Sequence, residues 1–110
     1  MDNNFIKEVI VDDIHYCTLV KPTLSAEGLN FITSDDKTIQ VGIWNYKKNK
    51  ELEPHFHNEY ERNADITGES VFVSKGKILI KVYKKNKELI LEETLHSGEM
   101  VIQFYGIHEY

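Results

Sequence analysis

Two histidines separated by a single residue are the clearest chemical feature of this sequence. His55 and His57 flank Phe56 and follow Pro54. Residues i and i+2 of a β-strand point to the same face, so the two imidazoles are predicted to project together. Neutral imidazole is a common ligand for zinc, iron, nickel and copper. The pair predicts a metal site, although the motif alone is weak, because such a pair on a surface strand is more often simply solvated.

A carboxylate opens the next apolar stretch. Glu69 precedes Ser70, and strand alternation places it on the same face as Val71 and Val73. A carboxylate that faces a core is unfavourable unless it binds something. Glu61 is an alternative candidate for the carboxylate ligand. We favour Glu69, because an apolar strand follows it directly, whereas the segment after Glu61 (RNADITG) does not read as a strand.

A third histidine closes the last apolar run. His108 comes directly after Gly106 and Ile107, far from the other two histidines in sequence but within their reach if the strands close into a barrel. His15 and Cys17 also share a face of a predicted strand. We interpret these two as a satisfied histidine beside a buried thiol rather than as metal ligands, since free cysteine is among the most buried residue types. Trp44 is interpreted as a core or pocket-wall aromatic.

Short β-strands are predicted to position these residues. Runs rich in Val, Ile, Phe and Tyr alternate with polar turns, and no segment keeps a helical apolar period. The predicted strands are 5–11, 14–21, 38–46, 51–57, 70–74, 77–83, 88–95 and 100–107, with a single helical turn at 25–28. The heptapeptide YKKNKEL occurs at 46–52 and again at 83–89, and we interpret both copies as hairpin tips. The pattern predicts an all-β sandwich or barrel.

Composition narrows the classes of function. The chain has 110 residues, which predicts one domain at 1–110, and a formal net charge of −5, which disfavours nucleic acid and anionic membranes as partners. No apolar run approaches the roughly 18–20 residues of a membrane span. Cys17 is the only cysteine, and Met1–Asn4 lack the basic start of a secretory signal. We therefore expect a cytoplasmic protein.

The order of these motifs resembles that of the cupin superfamily, and in particular small single-domain cupins of bacterial surface-polysaccharide and sialic-acid-like sugar gene clusters. The matching pieces are GLNFIT at 28–33, QVG at 40–42, PHFH at 54–57, Arg62, TGE at 67–69, GK at 76–77, Tyr83, GE at 98–99 and GIH at 106–108. The resemblance covers most of the chain. It departs from the family at Glu99, where Asp is usual, and around His108, where the subgroup has a Gly-Gly-His-Gly type of run.

The resemblance implies a cupin double-stranded β-helix, which is a jelly-roll-like barrel. It places the metal ligands on His55, His57, Glu69 and His108, with a divalent zinc, iron, nickel or manganese ion as cofactor. It also implies a homodimer and a small polar ligand, such as a sugar or a nucleotide sugar.

Three kinds of function remain open at this stage. The first is a metal-binding cupin that acts on or binds a small polar molecule. The second is a metal-free sugar isomerase or epimerase with a histidine base and a tyrosine proton donor, for which Tyr60, Tyr83, Tyr105 and Tyr110 are candidates. The third is a ligand-binding module without chemistry. Whether the protein is an enzyme is therefore left undecided by the sequence.

Overall fold

The structure, a computed structural model, describes residues 5–22, 27–59, 61 and 63–110. Nine β-strands and no α-helix occur in these residues. The strands are β1 (Ile6–Val11), β2 (Ile14–Val20), β3 (Gly28–Phe31), β4 (Gly42–Asn45), β5 (Glu69–Phe72), β6 (Lys77–Tyr83), β7 (Leu89–His96), β8 (Met100–Gln103) and β9 (Ile107–Glu109). The predicted all-β class is confirmed. No helix in the described part of the chain has the length and apolar character to cross a bilayer.

The chain divides into two compact units. The first comprises Met1–Leu24 and Ile66–Tyr110, and the second comprises Ser25–Asp65. Two antiparallel sheets lie in the first unit, in the strand orders β1-β2-β8-β5 and β7-β6-β9, and the second unit holds the antiparallel pair β3-β4. Within the described residues, none of these sheets closes into a barrel. The prediction of a single domain is not tested by this division and stays a prediction.

Both sheets of the first unit contribute to one apolar core. Its buried members are Val9, Tyr16, Cys17, Leu19, Val73, Ile80, Val82, Leu91, Leu95 and Val101. Alternation along β6 shows the cause, because Ile80 and Val82 are fully buried while Leu79, on the opposite face, is exposed. Burying one such aliphatic side chain contributes roughly 1.5–3 kcal/mol to folding. This core fixes the positions of the edge strands that carry the candidate site.

A β-bulge in the first hairpin changes which residues share a face. Val9 pairs with Cys17 but Ile10 pairs with His15, so Tyr16 is an extra residue in β2. The prediction that His15 and Cys17 share a face is therefore wrong. Cys17 lies in the core, and His15 Nε2 donates on the opposite face to Thr18 Oγ1 at 2.8 Å and to the Cys17 carbonyl at 3.1 Å. The interpretation of a buried thiol and a satisfied histidine is confirmed.

Several predicted elements have different bounds. The strand predicted at 51–57 does not form among the described residues, because no ladder partner takes up its backbone groups. The run predicted at 100–107 is two strands, since the Phe104 and Tyr105 amides both donate to the Tyr16 carbonyl and the chain then turns at Gly106. The strand β3 was not predicted. Of the helical turn predicted at 25–28, residues 25 and 26 lie outside the described residues.

The two copies of YKKNKEL adopt turns with different details. The copy at 83–89 is the tip of the β6-β7 hairpin, as predicted, and Lys87 is its residue with positive φ, at 73°. The copy at 46–52 forms a turn in which Asn49 has positive φ, at 70°, but it follows β4 without leading into a described strand. The hairpin prediction is therefore confirmed for the second copy and wrong for the first.

Candidate metal and ligand site

Two edge strands of the first unit carry the candidate site. Glu69 begins β5, where it pairs with Gln103 of β8, and Gln103 in turn pairs with Cys17 of the core. His108 lies in β9 opposite Val82, which also belongs to the core. Paired residues of neighbouring antiparallel strands share a face. Glu69 and His108 therefore both face the space between the two sheets.

The side chains of these two residues meet directly. His108 Nε2 lies 2.9 Å from Glu69 Oε2, and Tyr110 Oη donates to Glu69 Oε1 at 3.2 Å. An ionised carboxylate only accepts hydrogen bonds, so Nε2 of His108 carries a proton in this contact. Both side chains are partly exposed, at 31% for His108 and 45% for Glu69. A small molecule or an ion can therefore reach the pair.

Tyr110 and Gln103 extend this group of side chains inward. Gln103 Nε2 donates to Tyr110 Oη at 3.5 Å, and the Gln103 side chain is 3% exposed. Burial raises the pKa of Tyr110 above its usual value, and the nearby Glu69 carboxylate also raises it, whereas the hydrogen bond from Gln103 lowers it. Glu69, His108, Tyr110 and Gln103 therefore form one continuous polar cluster, which we call the edge cluster.

The two remaining histidines of the predicted set lie in the second unit. The rings of His55 and His57 stack with centroids 5.7 Å apart and an interplanar angle of 22°. His55 Nδ1 lies 3.2 Å from the Glu53 carbonyl, which can only accept, so Nδ1 is the donor, and in the neutral ring Nε2 keeps its lone pair. Histidine ligands of metals commonly donate their other ring N–H in this way. Both imidazoles are exposed.

The second unit also contains a polar cleft with a volume of about 970 Å³. Its wall is made of hydroxyl, amide, carboxylate, ammonium and imidazole groups. The lining residues are Thr33, Ser34, Asp35, Lys37, Thr38, Gln40, His57, Asn58 and Glu59. These many donors and acceptors suit a strongly hydrated ligand, such as a polyhydroxylated one. Trp44 is half exposed, so its interpretation as a core residue is wrong. It does not line this cleft, and its interpretation as a pocket-wall residue stays a prediction.

The structure thus brings the four predicted ligands together in two pairs, each described within its own unit. Glu69 contacts His108, and His55 stacks on His57. Glu61 is exposed and outside any strand, as expected from the segment around it. Among the described residues, no group of three or more His, Cys, Asp or Glu side chains is arranged to hold a metal. The role of the four residues as ligands of one ion is not tested and stays a prediction.

Sequence analysis missed one member of the edge cluster. Gln103 was not singled out, although a polar residue that follows the apolar Met100–Ile102 run was an available signal. Tyr110 was named only as one of several possible proton donors. Arg62 and Tyr60 lie outside the described residues.

No protein-family model, no curated protein and no solved structure matches this chain. The candidate function therefore depends on the residues themselves and on the motif order.

Proposed function

We propose that this chain is a cupin-type protein that binds a divalent metal ion and holds a small polar molecule beside it. The all-β architecture, with two antiparallel sheets around one core, is compatible with a jelly-roll-like cupin fold. The motif order described above supports the same assignment. The proposed ligands are His55, His57, Glu69 and His108, and the ion is zinc, iron, nickel or manganese.

The observation that carries this proposal is the 2.9 Å separation of His108 Nε2 and Glu69 Oε2. Two adjacent ligands of an octahedral ion, each about 2.1 Å from it, lie about 3 Å apart. The two atoms therefore have the spacing of adjacent metal ligands. The combination of an imidazole and a carboxylate suits all four candidate ions. Metal binding through Nε2 would require the ring proton of His108 to move to Nδ1, which would leave the Nε2 lone pair available to the ion.

A bound metal of this kind would supply a Lewis acid that polarises a carbonyl or activates water. The protein's own residues would do the rest. Glu69 and His108 would orient the ligand end that faces the edge cluster, and Tyr110 would hold the carboxylate in place through its hydrogen bond at 3.2 Å. Partial exposure of Glu69 and His108 leaves an entry path.

The polar cleft of the second unit supports a sugar-like ligand class. Its lining offers three hydroxyls and two amides beside charged groups, a mixture that can bind several hydroxyls of one molecule. We propose a sugar or a nucleotide sugar as the ligand, in a cytoplasmic homodimer. The dimer is proposed because strand edges such as that of β5 are unpaired in the described residues, and pairing with a second copy is a common way to cover them.

Elemental analysis of the purified protein tests the metal site. Wild-type protein should contain about one equivalent of a transition metal. Glu69→Gln, which keeps the shape of the side chain, and His108→Asn, which removes the imidazole but stays polar, should each weaken metal binding at least about tenfold. Glu92→Gln and His96→Asn are matched controls, since Glu92 lies on the outer face of β7 and His96 is exposed at its end.

The His55→Ala, His57→Ala variant tests whether the second pair binds the same ion. Loss of metal from this variant is expected if all four residues are ligands. Wild-type protein that stays metal-free after reconstitution with iron, manganese, nickel and zinc would contradict the proposal. Metal binding without any turnover of candidate sugars would instead identify a binding module.

A second candidate function is supported by the hydrogen bonds of the edge cluster. Tyr110 Oη and His108 Nε2 both donate to the same carboxylate, at 3.2 and 2.9 Å. A tyrosine and a histidine joined in this way can exchange protons with a substrate without a metal, as an isomerase or epimerase requires. Turnover of a keto-sugar by metal-free protein, lost in Tyr110→Phe and kept in Tyr83→Phe, would favour this function.

A further inference from the structure

The amide of Gln103 has an unusual environment for a buried polar group. Its side chain is 3% exposed and lies in β8 between Cys17 and Glu69 in the row of paired residues. Its Nε2 donates to Tyr110 Oη at 3.5 Å. Its Oε1 is buried and has no hydrogen-bond partner among the described residues. Native proteins pair roughly 90% or more of such atoms, so this oxygen needs an explanation.

A structural role does not account for this oxygen. Burial of an acceptor without a partner is unfavourable, and an apolar side chain of the same size would avoid the penalty. The neighbours of Gln103 in its own strand are the buried Val101 and Ile102, so an apolar residue would fit the local pattern. The other end of the same amide contacts the edge cluster. The unpaired acceptor therefore belongs to an amide that contacts the groups proposed to bind a ligand.

We propose that Gln103 Oε1 accepts a hydrogen bond from an O–H or N–H group of the small molecule bound at the edge cluster, and so selects hydroxylated ligands. This inference rests on the proposed function and adds to it a residue that determines specificity. The ligand class that fits is a molecule with a hydroxyl next to the carboxylate or carbonyl that faces the metal, such as a 2-hydroxy acid or a sugar acid. Sites that hydrogen-bond a substrate hydroxyl discriminate strongly against analogues that lack it.

The first test needs neither metal nor ligand. Gln103→Met removes the amide with little change in volume, and metal-free Gln103→Met should melt at or above the wild-type temperature. The matched control is Thr18→Val on the opposite face of the same sheet. Thr18 is equally buried, but its Oγ1 is paired with His15 Nε2 at 2.8 Å. Thr18→Val should therefore lower the melting temperature by several degrees.

The second test uses two probes that differ by a single hydroxyl. Glycolate and acetate are titrated calorimetrically into the metal-loaded protein. Gln103→Met should weaken glycolate binding about tenfold or more, by loss of one hydrogen bond to a buried acceptor, and leave acetate binding unchanged. Thr18→Val should bind both probes as wild-type protein does.

The outcomes separate this inference from the metal site. If wild-type protein binds no metal, this result contradicts the metal proposal but not the proposed role of Gln103. The same two probes would then be titrated into metal-free protein, where a selective loss of glycolate binding in Gln103→Met would still support the role of Gln103. Gln103→Met that melts several degrees below wild type, or that binds both probes with equally reduced affinity, would show a packing role and overturn the inference. Unchanged glycolate binding in Gln103→Met would also overturn it.

Discussion

Gly106 lies at the turn from β8 to β9, and replacing it with alanine should destabilise the protein more than the same change at a comparable glycine. Gly106 has φ of +85°, in the left-handed region. A Cβ atom there would lie 2.7 Å from the Tyr83 carbonyl oxygen and 2.8 Å from Cδ2 and Cε2 of Tyr16. Tyr16 is 3% exposed and packs edge-on against Tyr105, so its ring has little room to move.

Two terms set the expected magnitude. Left-handed backbone costs a residue with a Cβ about 1–2 kcal/mol. Overpacking a tight site by one methyl group costs about 1–3 kcal/mol more. Gly106→Ala should therefore lower the free energy of unfolding by about 2–5 kcal/mol, a large part of the roughly 5–15 kcal/mol that holds a typical domain together.

Gly98→Ala measures the backbone term alone, so the difference between Gly106→Ala and Gly98→Ala isolates the packing term. Gly98 has the same φ of +85°, but an added Cβ there would have no atom within 4 Å. This variant should lose only the backbone term of about 1–2 kcal/mol. Urea unfolding followed by far-UV circular dichroism measures both variants, with the denaturant slope as a check that the same transition is compared. Equal losses in Gly106→Ala and Gly98→Ala would refute the packing argument.

Two further predictions concern the hairpin turn and the core of the first unit. Asp12 and Asp13 both have positive φ, at 52° and 62°, so Asp13→Gly should stabilise the β1-β2 turn by about 0.5–1 kcal/mol in urea unfolding. Asp12 is left in place because it accepts from Lys84 Nζ at 3.1 Å, and a loss of stability in Asp13→Gly would contradict the assigned turn. Burial raises the pKa of the Cys17 thiol from 9.0 to about 12. The unfolded thiol loses its proton above pH 9 while the native thiol keeps it, so stability should fall between pH 9 and 12, by up to about 1.4 kcal/mol per pH unit. Cys17→Ala should lack this part of the slope, and equal slopes in the two proteins would show that the thiol is not protected.

Local sequence patterns predicted most of the strands, because apolar alternation reports burial on one face. The strand 77–83 has the predicted bounds, and the first two strands differ from the prediction by one residue at an end. Patterns failed where an interaction between distant residues decides the outcome. The extra residue Tyr16 reverses the face of His15 relative to Cys17, and nothing in the alternation of β2 indicates a bulge.

The repeated heptapeptide separates the effect of the local sequence from the effect of the surrounding strands. Both copies of YKKNKEL turn at their lysine- and asparagine-rich middle, which is the part that local chemistry determines. Different residues adopt positive φ, Asn49 in the first copy and Lys87 in the second. Only the second copy lies between strands that pair, so the hairpin depends on the partners β6 and β7 and not on the turn sequence.

The two pairs of candidate ligands show the same division within the candidate site. The strand expected around His55 and His57 does not form in the described residues, yet the rings stack at 5.7 Å, and His55 is oriented by a contact with the Glu53 carbonyl two residues away. That pair is therefore a local property, which a two-residue motif can predict. Glu69 and His108 are 39 residues apart in sequence and meet because each lies on an edge strand of a different sheet. Alternation predicts that Glu69 faces inward but not which residue it meets, and it gives no sign that Gln103 completes the cluster. A motif can thus name Glu69 and His108 without showing that they meet, whereas the acceptor proposed to select the ligand emerges only when the strands are paired.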